Sequence, residues 1–118
     1  MYELIFWKYQ EGIYLNHHIV YESLLEKQFV EGLEELPVQV IHNRIAAVFS
    51  NWDKVDENSW KNPQGPGAFQ VKSTSQSILI DCYGTDGKTM NLLSDTLEEF
   101  NCSLYDPQVP VRYDEMNE

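Results

Sequence analysis

Basic residues are what this chain has least of. Lysine and arginine together number 8, against 19 aspartates and glutamates, for a formal charge of -11. So acidic a chain repels phosphate backbones and anionic lipid surfaces, which argues against nucleic acid and membrane as partners. A basic protein is the partner its field would attract, although solubility alone accounts for many acidic surfaces. Cysteine is scarce too. Cys82 and Cys102 stand alone, form no CxxC pair and fall in different expected elements. With no signal-peptide pattern at the N-terminus, the expectation is a cytoplasmic protein whose two thiols are free, buried and unreactive. Long apolar runs are absent as well, and none approaches the length that a membrane-spanning helix needs.

Reactive constellations are also missing. His17, His18 and His42 are the only histidines. Side chains of adjacent residues at a helix start diverge, so His17 and His18 cannot form the i,i+4 pair that a helical metal site uses. Gly65-Pro66-Gly67 is followed by neither Lys-Ser/Thr nor a helix, and cannot cradle a phosphate. Carboxylates are plentiful, but no pair is set in a cleft that would split their pKa values as a hydrolase requires. Asp81 is expected to face outward from its strand. The chain therefore reads as a non-enzyme, with no cofactor and no metal.

What the sequence does carry is a scaffold. Its 118 residues fit a single domain, 1–118, with residues 114–118 an acidic, frayed tail. Gly67–Ser73 and Ser77–Tyr83 alternate as strands do, and Met90, Leu93, Leu97 and Phe100 recur at helical spacing over Lys88–Phe100. Tyr2–Tyr9 is an aromatic and β-branched strand with Leu4 and Phe6 on one side and Ile5 and Trp7 on the other, so both its faces should be at least partly covered. Asn16 can cap a helix over His17–Lys27, and a second helix should run from Pro37 to Phe49. Asn58–Lys61 reads as a short strand followed by an Asn62–Gly67 loop, and Ser103–Asp106 as an edge strand. Thr85 or Asp86 can cap the start of the last helix, and Asn101 suits its C-terminal end. The order β, α(α), β, β, α, β predicts an α+β fold. A ferredoxin-like βα(α)ββαβ sandwich accounts for it, with an antiparallel sheet and helices packed on one face.

The strongest charge cluster is Glu22, Glu26, Glu31, Glu34 and Glu35, diluted only by Lys27. Asp53, Asp56 and Glu57 form a second group, beside Trp52 and Trp60. Trp52 continues the stripe of the second helix and belongs to the core. Trp60 is a candidate aromatic anchor within an acidic rim, the composition of a protein-binding hot spot. The candidate partner-binding residues are therefore Glu22, Glu26, Glu31, Glu34, Glu35, Asp53, Asp56, Glu57 and Trp60.

The pattern Gly67-Ala68-Phe69-Gln70-Val71, Asp81-Cys82-Tyr83-Gly84, Met90-Asn91-Leu92-Leu93 and Cys102-Ser103-Leu104-Tyr105-Asp106-Pro107-Gln108 resembles a group of small bacterial proteins of unassigned role. It is similar in kind to the small acidic immunity proteins of polymorphic and contact-dependent toxin systems. That resemblance implies an immunity or antitoxin protein that covers a basic toxin domain. Two other readings stand beside it. One is a small regulatory or ligand-binding domain that uses an open sheet face or a pocket at the helix–sheet seam. The other is an enzyme, which would need a cleft joining Asp81, a histidine and a cysteine or tyrosine.

Overall fold

The computed structural model describes residues 1–113 and contains ten elements. In chain order these are β1 (Tyr2–Trp7), α1 (His17–Leu25), α2 (Val38–Val48), β2 (Asp53–Asp56), β3 (Ser59–Lys61), β4 (Ala68–Ser73), β5 (Ile78–Tyr83), α3 (Gly87–Glu98), β6 (Ser103–Asp106) and β7 (Val111–Arg112). The expectation of a frayed tail at 114–118 lies outside the described residues.

β1 sits inside the sheet, paired antiparallel with β5 on one side and β6 on the other. Its consecutive residues Leu4, Ile5, Phe6 and Trp7 are all essentially inaccessible. Successive strand side chains point to opposite faces, so burial of both parities requires a core on each side. Leu4 and Phe6 join Phe69, Val71, Ile78 and Ile80 of the sheet under Ile41 and Ile45 of α2 and Leu93 and Leu97 of α3. Ile5, Trp7 and Tyr105 pack on the opposite face against Val20 and Leu24 of α1, and Leu33 completes that second core.

The fold is thus α+β, with three helices and a seven-stranded antiparallel sheet in the order β2-β3-β4-β5-β1-β6-β7. The expectation of helices on one face is corrected. α2 and α3 share a face and α1 takes the other, because β1 presents a complete apolar set to each side. A ferredoxin-like sandwich has four strands, whereas this sheet has seven. The four strands of the expected βα(α)ββαβ order lie consecutively as β4-β5-β1-β6; β3, at the expected Asn58–Lys61 strand, and β2 extend one end, and β7 extends the other.

β2 and β7 escape the periodicity that reveals buried strands. Every residue of β2 is exposed, so backbone pairing with β3 holds it rather than a buried face. β7 is only two residues long, and it turns β6 from an edge strand into an interior one. Arg112 secures it. That side chain is buried, lies 4.9 Å from the Trp7 ring and 4.6 Å from the Tyr9 ring, and donates to the Trp7 carbonyl at 2.6 Å. Stacking of this kind between guanidinium and aromatic rings strengthens once desolvated.

The expected helix ends are present. The Asn16 side chain accepts from the backbone N–H groups of His18 and Ile19, and Asp86 accepts from that of Thr89. Asn101 takes a left-handed conformation, φ 60°, just past α3. The segment from α1 to α2 lacks regular structure but is tied to the β4–β5 hairpin. The buried Gln76 amide accepts from the N–H of Val30 at 2.9 Å and donates to the Val30 carbonyl at 2.8 Å. Each satisfied buried group avoids a desolvation penalty, so this contact fixes where the segment lies.

The second core makes a specific demand. Leu24→Ala should lower the unfolding free energy in urea by about 2–5 kcal/mol, in the same range as Ile45→Ala beneath α2. A loss well under about 1 kcal/mol, the scale of an ordinary surface change, would mean that α1 does not cover a true core.

Candidate functional site

α1 begins at its Asn16 cap and turns Val20 and Leu24 inward. One turn apart, they form a narrow stripe. Tyr21 stays half-buried and its hydroxyl donates to Glu3 of β1 at 2.5 Å. Burial and that carboxylate together push the Tyr21 hydroxyl pKa well above its ordinary value. With one side committed to the sheet, the other side faces solvent, and what it presents is unusual. Ile19 is 62% exposed, Leu25 45%, and Phe29, in the turn that follows, 73%. Glu22, Glu26 and Glu31 accompany them, all exposed. Isolated exposed hydrophobics need no explanation, but three on one short segment, interleaved with acids and with Lys27 the one base among them, form an amphipathic, mainly acidic surface.

The sequence-predicted residues divide around this face. Glu22 lies 3.7 Å from His18, one turn earlier, and Glu26 accepts from the side-chain amide of Gln28. Glu34 is engaged by Lys8 at 2.9 Å, while Glu35 is exposed beyond it. Asp53, Asp56 and Glu57 belong elsewhere. β2 is the fourth strand from β1, roughly 19 Å away at about 4.8 Å per strand. The Asp56 carboxylate accepts from the Asn58 N–H and shapes the β2–β3 turn. Glu57 lines a groove with Val38 and His42 of α2, on the sheet face away from α1. The nine residues therefore do not form one site.

Trp60 is corrected outright. It is 2% exposed and stacks on Phe69, with ring centroids 5.2 Å apart and planes inclined by 15°. It fills the core that also holds Phe49 and Phe69, and offers no exposed ring surface. Trp52 is half-buried and packs edge-on to Phe49 in the same core, as its place in the α2 stripe predicts. The aromatic among the acids is instead Phe29, whose only sequence signal is that a large apolar residue falls in an irregular acidic segment with no periodic partner.

Asp81 is also corrected. Rather than facing solvent, it is 2% exposed. One carboxylate oxygen meets Lys72 at 2.9 Å and the other has no hydrogen-bond partner among the described residues. The carboxylate and its hydrogen bond raise the Lys72 pKa. Asp81 sits between Gln70 and Glu3 across the sheet, on the face that α1 covers only in part.

Of the remaining polar groups, Trp7 Nε1 and His42 Nε2 are buried with no hydrogen-bond partner among the described residues. Tyr9 hydroxyl donates to the Leu15 carbonyl and lies 2.9 Å from His17 Nδ1, while Tyr14 hydroxyl lies 3.1 Å from Nε2 of the same ring. His42 is half-buried in α2, and burial lowers its pKa. Both cysteines are free and buried, and burial pushes each thiol up to about 11. The thiolate is the nucleophile, so such thiols are inert near neutral pH. Among the described residues, no group of three His, Cys, Asp or Glu side chains could hold a metal ion, and no helix is long and apolar enough to cross a membrane. No protein-family model matches this chain, and no curated protein matches it significantly.

The thiols give a pH prediction. An unfolded thiol titrates near 9 and the folded ones near 11, so the unfolded state loses protons first. Stability from this source should be whole below pH 9 and fall as pH rises from 9 to 11. Ellman's reagent should leave both thiols of the folded protein unmodified at pH 8 and modify both in denaturing urea. Rapid reaction of either without denaturant would contradict the burial.

Proposed function

We propose that this chain is an immunity- or antitoxin-type protein that neutralises a basic bacterial toxin domain by docking the outer face of α1 onto it. One observation carries the reading. Ile19 and Leu25 of α1 and Phe29 of the turn that follows stand exposed along a segment that also carries the exposed Glu22, Glu26 and Glu31, while the Val20–Leu24 stripe of the helix is committed to the core. The apolar side chains supply contact area that can be desolvated, and the carboxylates supply attraction and register toward a cationic surface. The formal charge of -11 adds long-range steering of a basic partner. That the cationic partner is a toxin follows from the sequence resemblance alone. The role proposed is non-catalytic and cytoplasmic. In the same reading, β4-β5-β1-β6 with α2 and α3 form a ferredoxin-like core, to which α1, the β2–β3 hairpin and β7 are additions.

A small ligand-binding domain is the second reading. A hollow between α1 and the β4–β5 hairpin favours it.

The test is binding to the product of the adjacent gene, followed by interferometry across ionic strength. Glu22→Lys with Glu26→Lys should slow association roughly tenfold or more at low salt, the scale of electrostatic steering. Phe29→Ala should weaken the complex by about 2 kcal/mol, as for a hot-spot aromatic, while changing stability by less than about 0.5 kcal/mol. Asp53→Lys, on the far edge of the sheet, should do neither. Absence of any complex, with no protection of cells that express the neighbouring product, would sink the proposal. So would association indifferent to salt.

A further inference from the structure

Between α1 and the uncovered half of its sheet face lies a hollow of about 330 Å³. That volume falls at the small end of the range for ligand pockets, roughly 300–1,000 Å³. Its floor is apolar, made by Ile5 of β1, Leu79 of β5 and Leu24 of α1. Its rim is not. Lys27 and Lys72 both line it, two of only eight basic residues in the chain.

The two lysines are not equivalent. Lys72 is already paired with the buried Asp81 at 2.9 Å. Lys27 makes no ion pair among the described residues. It follows the last turn of α1 in the left-handed conformation, φ 58°. That position ordinarily takes glycine or asparagine, and a longer side chain there costs about 1 kcal/mol or more. An unfavoured residue in such a place is a reason to look for a role. Here it adds a lysine with no ion pair among the described residues to the polar rim of the hollow, which Glu3, Lys72, Ser73, Thr74 and Ser77 also line.

The hollow also has a direction. Glu3 lines it at one end, where its carboxylate already accepts from the Tyr21 hydroxyl. α1 runs from that point toward the β4–β5 hairpin, to which Val30 is bonded through Gln76. Lys27 therefore lies toward the hairpin end, away from Glu3, with Ile5 and Leu79 between. A ligand with its anionic head at Lys27 would lay its body over the apolar floor and keep its charge from the Glu3 carboxylate. A single free ammonium matches a single negative charge.

We propose that this hollow binds a small organic monocarboxylate with an apolar body, its carboxylate on the Lys27 ammonium and its body over Ile5, Leu24 and Leu79. The proposal deepens the ligand-binding reading; the hollow adjoins the docking face at Leu25, but binding there does not require the docking reading.

Three probes with one body separate the head groups: 3-phenylpropanoate, 3-phenylpropanamide and 3-phenylpropylamine. Each is titrated into the full chain and followed by amide chemical shifts. The carboxylate should give saturable shifts centred on Ile5, Leu24 and Leu79, and bind about tenfold tighter than the amide, the scale of a charge-assisted hydrogen bond. Lys27→Gln should abolish that preference and leave amide binding unchanged. Absence of saturable shifts would overturn the proposal. So would equal affinity for carboxylate and amide, tighter binding of the amine, or a preference that survives Lys27→Gln.

Discussion

Every feature of this molecule depends on the two-sided burial of β1. Four consecutive residues, Leu4 to Trp7, are buried on alternating faces of a strand that pairs along both edges. Burying a large apolar side chain contributes about 1.5–3 kcal/mol, so each face of β1 alone accounts for several kcal/mol of the drive to cover it. A sheet with one wet face would leave Ile5 and Trp7 in water. α1 is the element that prevents this, and it does so with a short stripe of Val20 and Leu24 helped by Leu33 and Tyr105. The cover is partial. α1 spans nine residues, about 14 Å at 1.5 Å per residue, over a sheet seven strands wide. Its inner side is consumed by β1 and β6, and its outer side and one flank are left free.

That geometry separates the acids that matter to the docking face from those that do not. Charge alone gives a stronger cluster from Glu22 to Glu35 and a second group at Asp53, Asp56 and Glu57. Sheet order puts Asp53, Asp56 and Glu57 on the far edge, where a fully exposed strand, a lysine and a register shift between Lys54 and Asp56 blunt a pairing edge. Charged residues and bulges on edge strands serve to discourage unwanted pairing, which gives those acids a sufficient role. Glu22, Glu26 and Glu31 have no such role. They accompany exposed apolar side chains, and that coincidence of charge with unburied hydrophobic area distinguishes an interaction surface from a merely soluble one.

Legibility followed burial. β4, β5 and α3 bury one face against a common core, so period 2 and period 3.6 were both visible, and side-chain caps at Asn16 and Asp86 marked two helix starts. β2 buries nothing and β7 is two residues pinned by a stacked arginine, so neither has a period to read. The side on which α1 packs was not legible because β1 offers apolar residues to both faces, and choosing between them requires knowing which strands flank it. Trp60 was misplaced for a related reason. In Ser59-Trp60-Lys61 the polar neighbours point away from the core, and only the cross-strand pairing of Trp60 with Phe69 shows that its own parity points in. Phe29 and Lys27 lie in an irregular turn, where sequence carries no facing information at all.

The same helix serves both proposals, and this has a thermodynamic consequence. Leu25 is 45% exposed on the outer face of α1 and also lines the hollow on its flank. Lys27, at the mouth of the hollow, directly follows Glu26 of the docking face. A protein seated over Leu25 and Glu26 therefore alters the surroundings of any carboxylate held at Lys27. If the partner is cationic, it adds positive potential at the anion's head group and favours its retention. Coupling between two binding equilibria is reciprocal, so the carboxylate would then favour the partner by the same factor. An acidic ligand would strengthen an acidic protein's hold on a basic one because it brings one more negative charge to the shared edge of α1, where Lys27 otherwise opposes the partner.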